Sequence, residues 1–239
     1  MPELGVVTRI LLGVARDSSG DRALAGTICR ACVDGLDVDG ASISVLTATD
    51  ARETLSATDQ TADLLEELQF TLNEGPCVEA ATTGHPVLVP DVQDTTVTAR
   101  WPVFAEAVGE RTAVRALFAL PLQWGAINLG VLDLYRRRPG NLADEQRRDA
   151  ISAADLAALM LLAERTDPAG YEGWLDSTTV SRAEVHQATG MVLVQLGVSA
   201  PEALARLRAY AFAHGRLLID VARDVVARRI SFVEDVEER

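Results

Sequence analysis

The hydrophobic pattern of the first two thirds of the chain switches between helical and strand periods. Residues 4–36 follow a helical pattern, broken near DSSGD, in which an apolar residue recurs every four positions from Leu24 to Leu36. The period then changes, because ASISVLTATD (41–50) alternates apolar and polar positions as a half-buried strand does. RETLSATD (52–59) is its expected hairpin partner. The chain therefore opens with helix and continues with two paired strands.

Shorter elements follow as far as residue 165. The pattern predicts short helices at QTADLLEELQF, PCVEAATTG and WPVFAEAVGE, and a strand at HPVLVPDV. Two long apolar strands flank Gly125, which marks a hairpin turn, and a helix runs from Leu142 to about Arg165. Most neighbouring strands are close enough in sequence to pair antiparallel. Residues 4–165 therefore predict an α+β domain, an antiparallel sheet with flanking helices.

A second, all-helical region follows a break. Residues 166–178, TDPAGYEGWLDST, contain Pro168, Gly170 and Gly173 and predict a linker. Three short helices are predicted in residues 179–230, and the last residues, 231–239, form an acidic tail. Ser199 is expected to cap the second helix, with Glu202 completing a capping box.

The third helix of this region carries one expected ion pair. Asp224 and Arg228 stand four positions apart, in the orientation that favours such a pair on a helix.

The charge is distributed unevenly between the two regions. The 239-residue chain has a net charge of −13, and all 22 basic residues are arginine. Residues 180–230 hold seven arginines and four acids, a net charge of +3, whereas the rest carries −16. A polyanion repels nucleic acid, so any nucleic-acid function is expected on a local patch, and the helical region is the candidate.

The amino-terminal sequence does not resemble a secretion signal, since it carries Glu3 and only a short apolar run. The most apolar stretch, residues 156–163, is too short to span a bilayer. We therefore expect a cytoplasmic protein with no membrane partner. Three cysteines are an odd number for a disulfide framework, which the reducing cytosol disfavours in any case.

Cys77 is the residue whose sequence context most suggests chemistry. It follows Gly75 and Pro76 at a predicted helix start, where thiol pKa values are lowered and cysteines become reactive. Packing is the favoured interpretation, because a buried cysteine behaves as a small apolar residue. A redox or ligand-contact role stays open, since Cys29 or Cys32 could approach Cys77 in the fold.

Other chemistry-like features favour structural roles. Cys29 and Cys32 form a C-x-x-C pair without the second pair that a four-ligand metal site needs, and they continue an apolar helical stripe. We therefore expect core packing and no metal there. His85 could bind haem, but a lone histidine is more often structural. The chain contains no Walker loop, G-x-S-x-G or H-E-x-x-H motif, so no enzyme is predicted.

The stretch LNEGPCVEAATTGHPVLVPDV resembles a GAF domain, the small-molecule sensing fold related to PAS. The matching positions are Gly75, Gly84, Pro86, Val87, Val89 and Asp91. The resemblance covers about residues 20–165 and implies a sensor pocket for an unknown small-molecule ligand, with Cys77 as a candidate contact. The asparagine-lysine-phenylalanine signature of cyclic-nucleotide-binding GAF domains is missing, which makes that ligand class less favoured.

The helical region resembles an ANTAR domain, a three-helix RNA-binding module of bacterial antitermination regulators. The matches run through all three helices: Gln187, Ala188, Gly190, Gly197, Ser199, Glu202, Ala203, Leu207, Arg208, Ala211, Asp220, Val221, Ala222, Val225 and Val226. Thr189 stands where the family usually has lysine, and losing a phosphate contact should weaken binding. Together the two domains resemble GAF and ANTAR regulators of the actinobacterial type.

The resemblance implies a non-enzymatic homodimer that binds paired RNA hairpins near a terminator, so that transcription continues. The candidate RNA-binding residues are Arg182, Gln187, Thr189, Gly190, Arg208 and Arg216. Two alternatives stay open. The last three helices could bind a sensor kinase or a second copy of the chain instead of RNA, or the protein could act as an enzyme or redox switch through Cys77.

Overall fold

The structure is a computed structural model that describes residues 4–14, 20–46, 52–125, 127–166 and 182–232. The chain divides into two compact units, residues 1–181 and 182–239. Nearly all of the predicted linker, residues 166–178, lies outside the described residues, as do residues 233–239 of the predicted acidic tail.

One antiparallel sheet forms the centre of the first unit. Its strands are β1 (Gly40–Leu46), β2 (Arg52–Ala57), β3 (Val87–Val89), β4 (Ala116–Trp124) and β5 (Ile127–Arg136). They lie in the order β2-β1-β5-β4-β3, and every neighbouring pair is antiparallel. Gly125 lies between β4 and β5 with a φ of 60°, which glycine adopts without strain. The predicted fold class and both predicted hairpins are confirmed.

Helices cover both faces of this sheet. They are α1 (Val6–Val14), α2 (Asp21–Gly35), α3 (Gln60–Leu72), α4 (Pro76–Thr83), α5 (Thr95–Arg100), α6 (Pro102–Arg111) and α7 (Asp144–Thr166). Helices α1, α2 and α7 pack together on one side, and α3 and α4 contact the strands from the other. Helix α5, which the sequence pattern did not predict, packs on α6.

Strand alternation separates an apolar face from a polar one. Ala41, Ile43 and Val45 of β1 are buried in the core that includes α2 and α7. Ser42 and Ser44 point to the opposite face, because successive side chains of a strand alternate. Helix α7 meets the apolar face through five alanines and one leucine at helical spacing: Ala150, Ala153, Ala154, Ala157, Ala158 and Leu161.

Helix α1 is fixed by one carboxylate of α7. Asp149 accepts hydrogen bonds from the backbone amides of Val7 (2.9 Å) and Thr8 (3.1 Å) and from the Thr8 hydroxyl (2.8 Å). These bonds satisfy first-turn amides that α1 cannot pair internally. Val7 and Leu11 then fill the apolar core, so α1 belongs to the helical layer over the sheet.

We predict that Asp149→Asn lowers the free energy of unfolding of the first unit by about 1–2 kcal/mol, the usual cost of a lost helix cap. Urea unfolding followed by tryptophan fluorescence measures this unit, because Trp101 and Trp124 lie in its described residues and the sequence of residues 182–239 contains no tryptophan. Asp155→Asn, at an exposed position of the same helix, is the matched control. Equal stability of the two variants would contradict the prediction.

Three helices form the second unit: α8 (Ala183–Leu196), α9 (Ala200–Ala213) and α10 (Leu218–Val226). Their buried residues recur at helical spacing, at Val185, Ala188, Val192, Ala203, Leu207, Ala211, Leu218, Val221, Ala222 and Val225. Gly197 follows α8 and Gly215 follows α9, both with positive φ, a conformation common just after a helix end. The predicted three-helix module is confirmed.

Two local predictions for this unit are wrong. Ser199 occupies the N-cap position of α9, but its side chain makes no capping hydrogen bond. Asp224 pairs with Arg216 and Arg229 rather than with Arg228. The expected pair fails because Arg228 has left the helix, with a φ of 56°.

Among the described residues, no single helix has the length and hydropathy of a membrane span. Helices α8 and α9 reach the length and hydropathy of a membrane span only when the two are counted together, and the chain bends by 104° between them.

Candidate functional site

Seven polar side chains are buried between the sheet and helices α3 and α4. We call them the buried polar cluster: Ser42, Ser44, Arg52, Glu66, Gln69, Cys77 and Asp133. Four of them are ionisable, and none is more than 9% exposed. Buried charged groups are rare unless they are paired, so this arrangement calls for a physical explanation.

Strand register places the sheet members of the cluster. Ser42 of β1 lies directly opposite Asp133 of β5, so their side chains share the polar face. An irregularity in the β1–β2 register between Ile43 and Ser44 shifts the alternation of β2. As a result, Arg52 lies opposite Leu46 and points to the same polar face.

The helices supply the other members. Glu66 and Gln69 are three residues apart on α3, so they lie on one side of that helix. Cys77 is the second residue of α4, directly after Pro76. The backbone amide of Cys77 donates a hydrogen bond to Gln69 Oε1 at 2.8 Å. This bond satisfies a first-turn amide of α4 that has no partner within the helix. A side chain at position 75 would collide with Gln69, and the φ of 116° there also favours glycine.

Cys77 is the point where the cluster converges. Arg52 Nη1 donates to its Sγ at 2.7 Å, and Ser44 Oγ lies 3.6 Å from the same sulfur. The Ser42 hydroxyl donates to Glu66 Oε1 at 2.8 Å. Asp133 Oδ2 is buried and, among the described residues, makes no hydrogen bond within ordinary distance and angle limits.

Burial controls the ionisation of these groups. It raises the pKa of the Cys77 thiol well above its usual value, although Arg52 opposes the shift. Burial, reinforced by the charge of Glu66, also raises the pKa of Asp133. Burial works against the charge of Arg52, but Cys77, Glu66 and Asp133 raise its pKa overall. A neutral buried thiol is a poor nucleophile, so this geometry does not favour thiol chemistry at Cys77.

The other two cysteines lie on the opposite side of the sheet. Cys29 and Cys32 of α2 are fully buried in the apolar core, and all three cysteines are free. Burial raises the pKa of Cys32 to about 12. Their predicted packing role is confirmed, and the alternative in which one of them approaches Cys77 is wrong. His85 is exposed, and its ring lies 2.8 Å from the Thr83 carbonyl oxygen.

We predict that Arg52→Met lowers the free energy of unfolding of the first unit by about 3–5 kcal/mol, because it leaves buried acidic groups without their cation. Tryptophan fluorescence in urea measures the change. Arg147→Met is the control, since Arg147 pairs with Asp144 on the surface of α7, where an ion pair contributes little. A cost for Arg52→Met as small as that of the control would contradict the role of Arg52.

A groove of about 570 Å³ marks the surface of the second unit. Gln187, Gly190, Met191, Val194 and Gln195 of α8 line one side, and Arg228, Ile230 and Ser231 line the other. The backbone amide of Phe232 donates a hydrogen bond to Gln195 Oε1 at 2.9 Å. This bond holds the segment after α10 beside α8. We call this feature the α8 groove.

Arg228 has an unusual backbone conformation at the edge of the groove. The amides of Arg228 and Arg229 donate to the carbonyls of Val225 and Asp224, the pattern of a Schellman helix end. That motif normally places glycine at the position with positive φ, and a bulky residue there is strained by about 1–2 kcal/mol. Strain of this kind clusters at functional sites, which makes Arg228 a candidate site residue that periodicity alone did not reveal.

The predicted RNA-binding residues are only partly brought together. Gln187 and Gly190 are exposed and line the α8 groove. Thr189 is half-buried, and its hydroxyl donates to the Val185 carbonyl at 2.7 Å. Arg208 is half-buried on α9, whereas Arg182 is only 5% exposed. The burial of Arg182 is unfavourable for a direct contact with RNA.

Arg216 has a structural partner. It donates to the Asp220 carbonyl at 3.1 Å and to the Asp224 carboxylate at 2.6 Å, which holds the start of α10. The Arg216 hydrogen bond also lowers the pKa of Asp224. In contrast, Arg228 makes no ion pair with any described residue. Arg228 and Arg229, two consecutive arginines that follow Val226 and Ala227, were the only sequence signal for it.

Comparison with known families matches both units. A GAF domain model matches residues 20–162, and an ANTAR domain model matches residues 175–226. The chain belongs to the GAF domain family, and the GAF domain is followed by an ANTAR domain. This combination of a sensor domain with an RNA-binding domain class supports a signal-responsive regulator, and both domain types are regulatory rather than catalytic.

Solved structures support the fold of the first unit. The GAF domain of a phosphoenolpyruvate-protein phosphotransferase from Coxiella burnetii is 13% identical, with a TM-score of 0.53, and covers 66% of this chain and 92% of its own. The corresponding domain from Acinetobacter has the same identity and coverage and a TM-score of 0.52. A domain of a putative sensor histidine kinase from Sinorhizobium meliloti 1021 is 19% identical (TM-score 0.50; 62% and 95% covered).

These identities establish the fold alone. A comparison with curated protein sequences found no match.

Proposed function

We propose that this protein is an RNA-binding regulator of transcription antitermination, whose GAF domain senses a small ligand or a chemical state. Its RNA target is a pair of hairpins near a terminator, and it acts in the cytoplasm as a homodimer without catalysing a reaction. The input reaches it as a small molecule or through an upstream sensor kinase. The observation that carries the proposal is the α8 groove with Arg228 at its edge.

The groove has the features that an RNA loop requires. Gly190 leaves room for close backbone approach, and no described atom lies within 4 Å of where its side chain would begin. Gln187 and Gln195 offer donors and acceptors to base edges, and Arg228 can both stack on a base and bind phosphate. Several other arginines of this unit, Arg206, Arg216, Arg223 and Arg229, are engaged by acids.

We predict that Arg228→Gly makes the second unit more stable but weakens its binding to RNA hairpins. Glycine relieves the strain at this position, so the second unit should become more stable by about 1 kcal/mol. The same change removes a phosphate contact, so hairpin affinity should fall and the salt dependence of binding should lose about one unit of slope. The measurements are circular dichroism melting and hairpin titration at two salt concentrations, on purified full-length protein.

Arg206→Ala is the matched control, because Arg206 is an exposed arginine that does not line the groove. It should bind hairpins as the wild type does. Arg208→Ala tests the α9 candidate in the same assay, and unchanged affinity in a folded variant removes Arg208 from the RNA surface. If Arg228→Gly binds as well as the wild type, the groove is not the RNA site.

We predict that Thr189→Lys strengthens hairpin binding. The position is half-buried near the groove residues Gln187 and Gly190, and a lysine stem can extend its ammonium group into solvent. One added phosphate contact should raise affinity and steepen the salt dependence by about one unit. Thr189→Gln, which adds length without charge, is the control. Equal affinities for the two variants would show that no phosphate lies near position 189.

A partner-binding function is the second candidate. Val194 is 78% exposed in the groove and Phe212 is 58% exposed on α9, which favours contact with protein. In this alternative the three helices bind a second copy of the chain or a sensor kinase. Sedimentation of wild type and Val194→Ser, beside the hairpin titration, distinguishes the two: loss of the dimer in a protein that never binds hairpins would favour the partner function.

A further inference from the structure

We propose that the buried polar cluster binds one divalent transition-metal ion of the Zn²⁺, Co²⁺ or Fe²⁺ class, with Glu66, Cys77 and Asp133 as its ligands. This inference deepens the proposed function, because it names the chemical input of the GAF sensor. Metal binding and RNA binding are separate measurements, so either can fail without the other.

The geometry of the three acidic groups carries the proposal. One carboxylate oxygen of Glu66, the sulfur of Cys77 and one carboxylate oxygen of Asp133 all lie within 4.8 Å of one another, and all three residues are buried. Ligand atoms around a tetrahedral Zn²⁺ ion, at the usual bond lengths, stand about 3.4–3.6 Å apart. Side-chain shifts of about 1 Å would therefore close the site around an ion.

The three ligands come from elements that the fold already holds in place. Asp133 lies on the central strand β5, Glu66 on α3, and Cys77 in the first turn of α4. The Glu66 and Cys77 positions are further fixed by the hydrogen bonds from Ser42 and to Gln69. Ligands held by a sheet and two helices define the donor geometry better than ligands on loops do.

A second observation points to a bound cation independently. Asp133 Oδ2 is buried and, among the described residues, makes no hydrogen bond within ordinary distance and angle limits, although the Asp133 side chain lies close enough to Cys77 and Glu66 to interact with both. An unsatisfied buried carboxylate oxygen costs free energy and needs an explanation. A metal ion between Asp133, Glu66 and Cys77 would supply the missing partner.

Formal charge is consistent with a divalent ion. Among the described residues, Arg52 is the one cation that contacts the three acidic groups, so their fully ionised forms leave two negative charges without a partner in a buried space. A divalent ion supplies that number of positive charges. Arg52 competes with the metal for Cys77 and would have to give up its hydrogen bond to the sulfur.

The donor set selects the class of metal. Thiolate sulfur is a ligand for Zn²⁺, Fe²⁺ and related ions, whereas Mg²⁺ and Ca²⁺ take oxygen ligands. Three protein ligands leave a fourth position for water or a small ligand, as in Zn²⁺ sites that stay open. The sequence pattern predicts no metal site, because the Cys29–Cys32 pair lacks a second pair and Glu66 and Asp133 lie far from Cys77 along the chain.

The test is a titration of the metal-free, full-length protein with Co²⁺, which reports a thiolate ligand by a charge-transfer absorption in the near ultraviolet. We expect saturation at one Co²⁺ per chain and loss of the absorption when Zn²⁺ is added. Cys77→Ser should abolish the absorption, and Cys32→Ser, whose thiol lies in the apolar core, should keep it. Asp133→Asn should weaken binding by more than about tenfold, since even outer-shell losses cost 10–100-fold.

Circular dichroism confirms that each variant is folded, and Asp133→Asn decides the question if Cys77→Ser does not fold. The proposal is overturned if the folded wild type shows no saturable absorption, or if the absorption survives in Cys77→Ser. It is also overturned if Asp133→Asn binds as tightly as the wild type. Hairpin binding is measured on the same samples. It shows whether the proposed RNA function holds independently of metal binding.

Discussion

The contact between Arg52 and Cys77 sets the character of the first unit. A guanidinium group that is only 9% exposed donates to a fully buried sulfur, and two carboxyl groups surround the pair. Removing charges from water costs several kcal/mol per ion unless each finds a partner. The sheet, α3 and α4 must therefore meet at positions that keep these groups together, which constrains the register of three strands.

The two faces of the sheet differ in the chemistry of their side chains. The face toward α2 and α7 is an apolar core built with many alanines, which lets helices approach the strands closely. The other face carries serines and ionisable groups between the same strands and α3 and α4. The first face therefore supplies most of the apolar burial, and the second face holds the ionisable groups to which the metal proposal refers.

The sequence predicted the architecture well and the site poorly. Periodicity identified the hairpins, most helices and the three-helix module, because these signals are local. Cys77 was recognised, but Arg52 and Asp133 were not linked to it, since they lie 25 and 56 positions away and only strand register and a bulge bring them together. Arg228 was taken for part of a helix, because periodicity does not reveal where a helix ends in a strained residue.

Asp149 connects the first helix to α7 by hydrogen bonds. Its carboxylate binds the start of α1, so α1 is coupled to the 23-residue α7, the last described helix of the first unit. A displacement of α7 along its axis would carry the amino-terminal helix with it. A spectroscopic label on α1 would therefore report any displacement of α7. Such a label would lie outside both the buried polar cluster and the α8 groove.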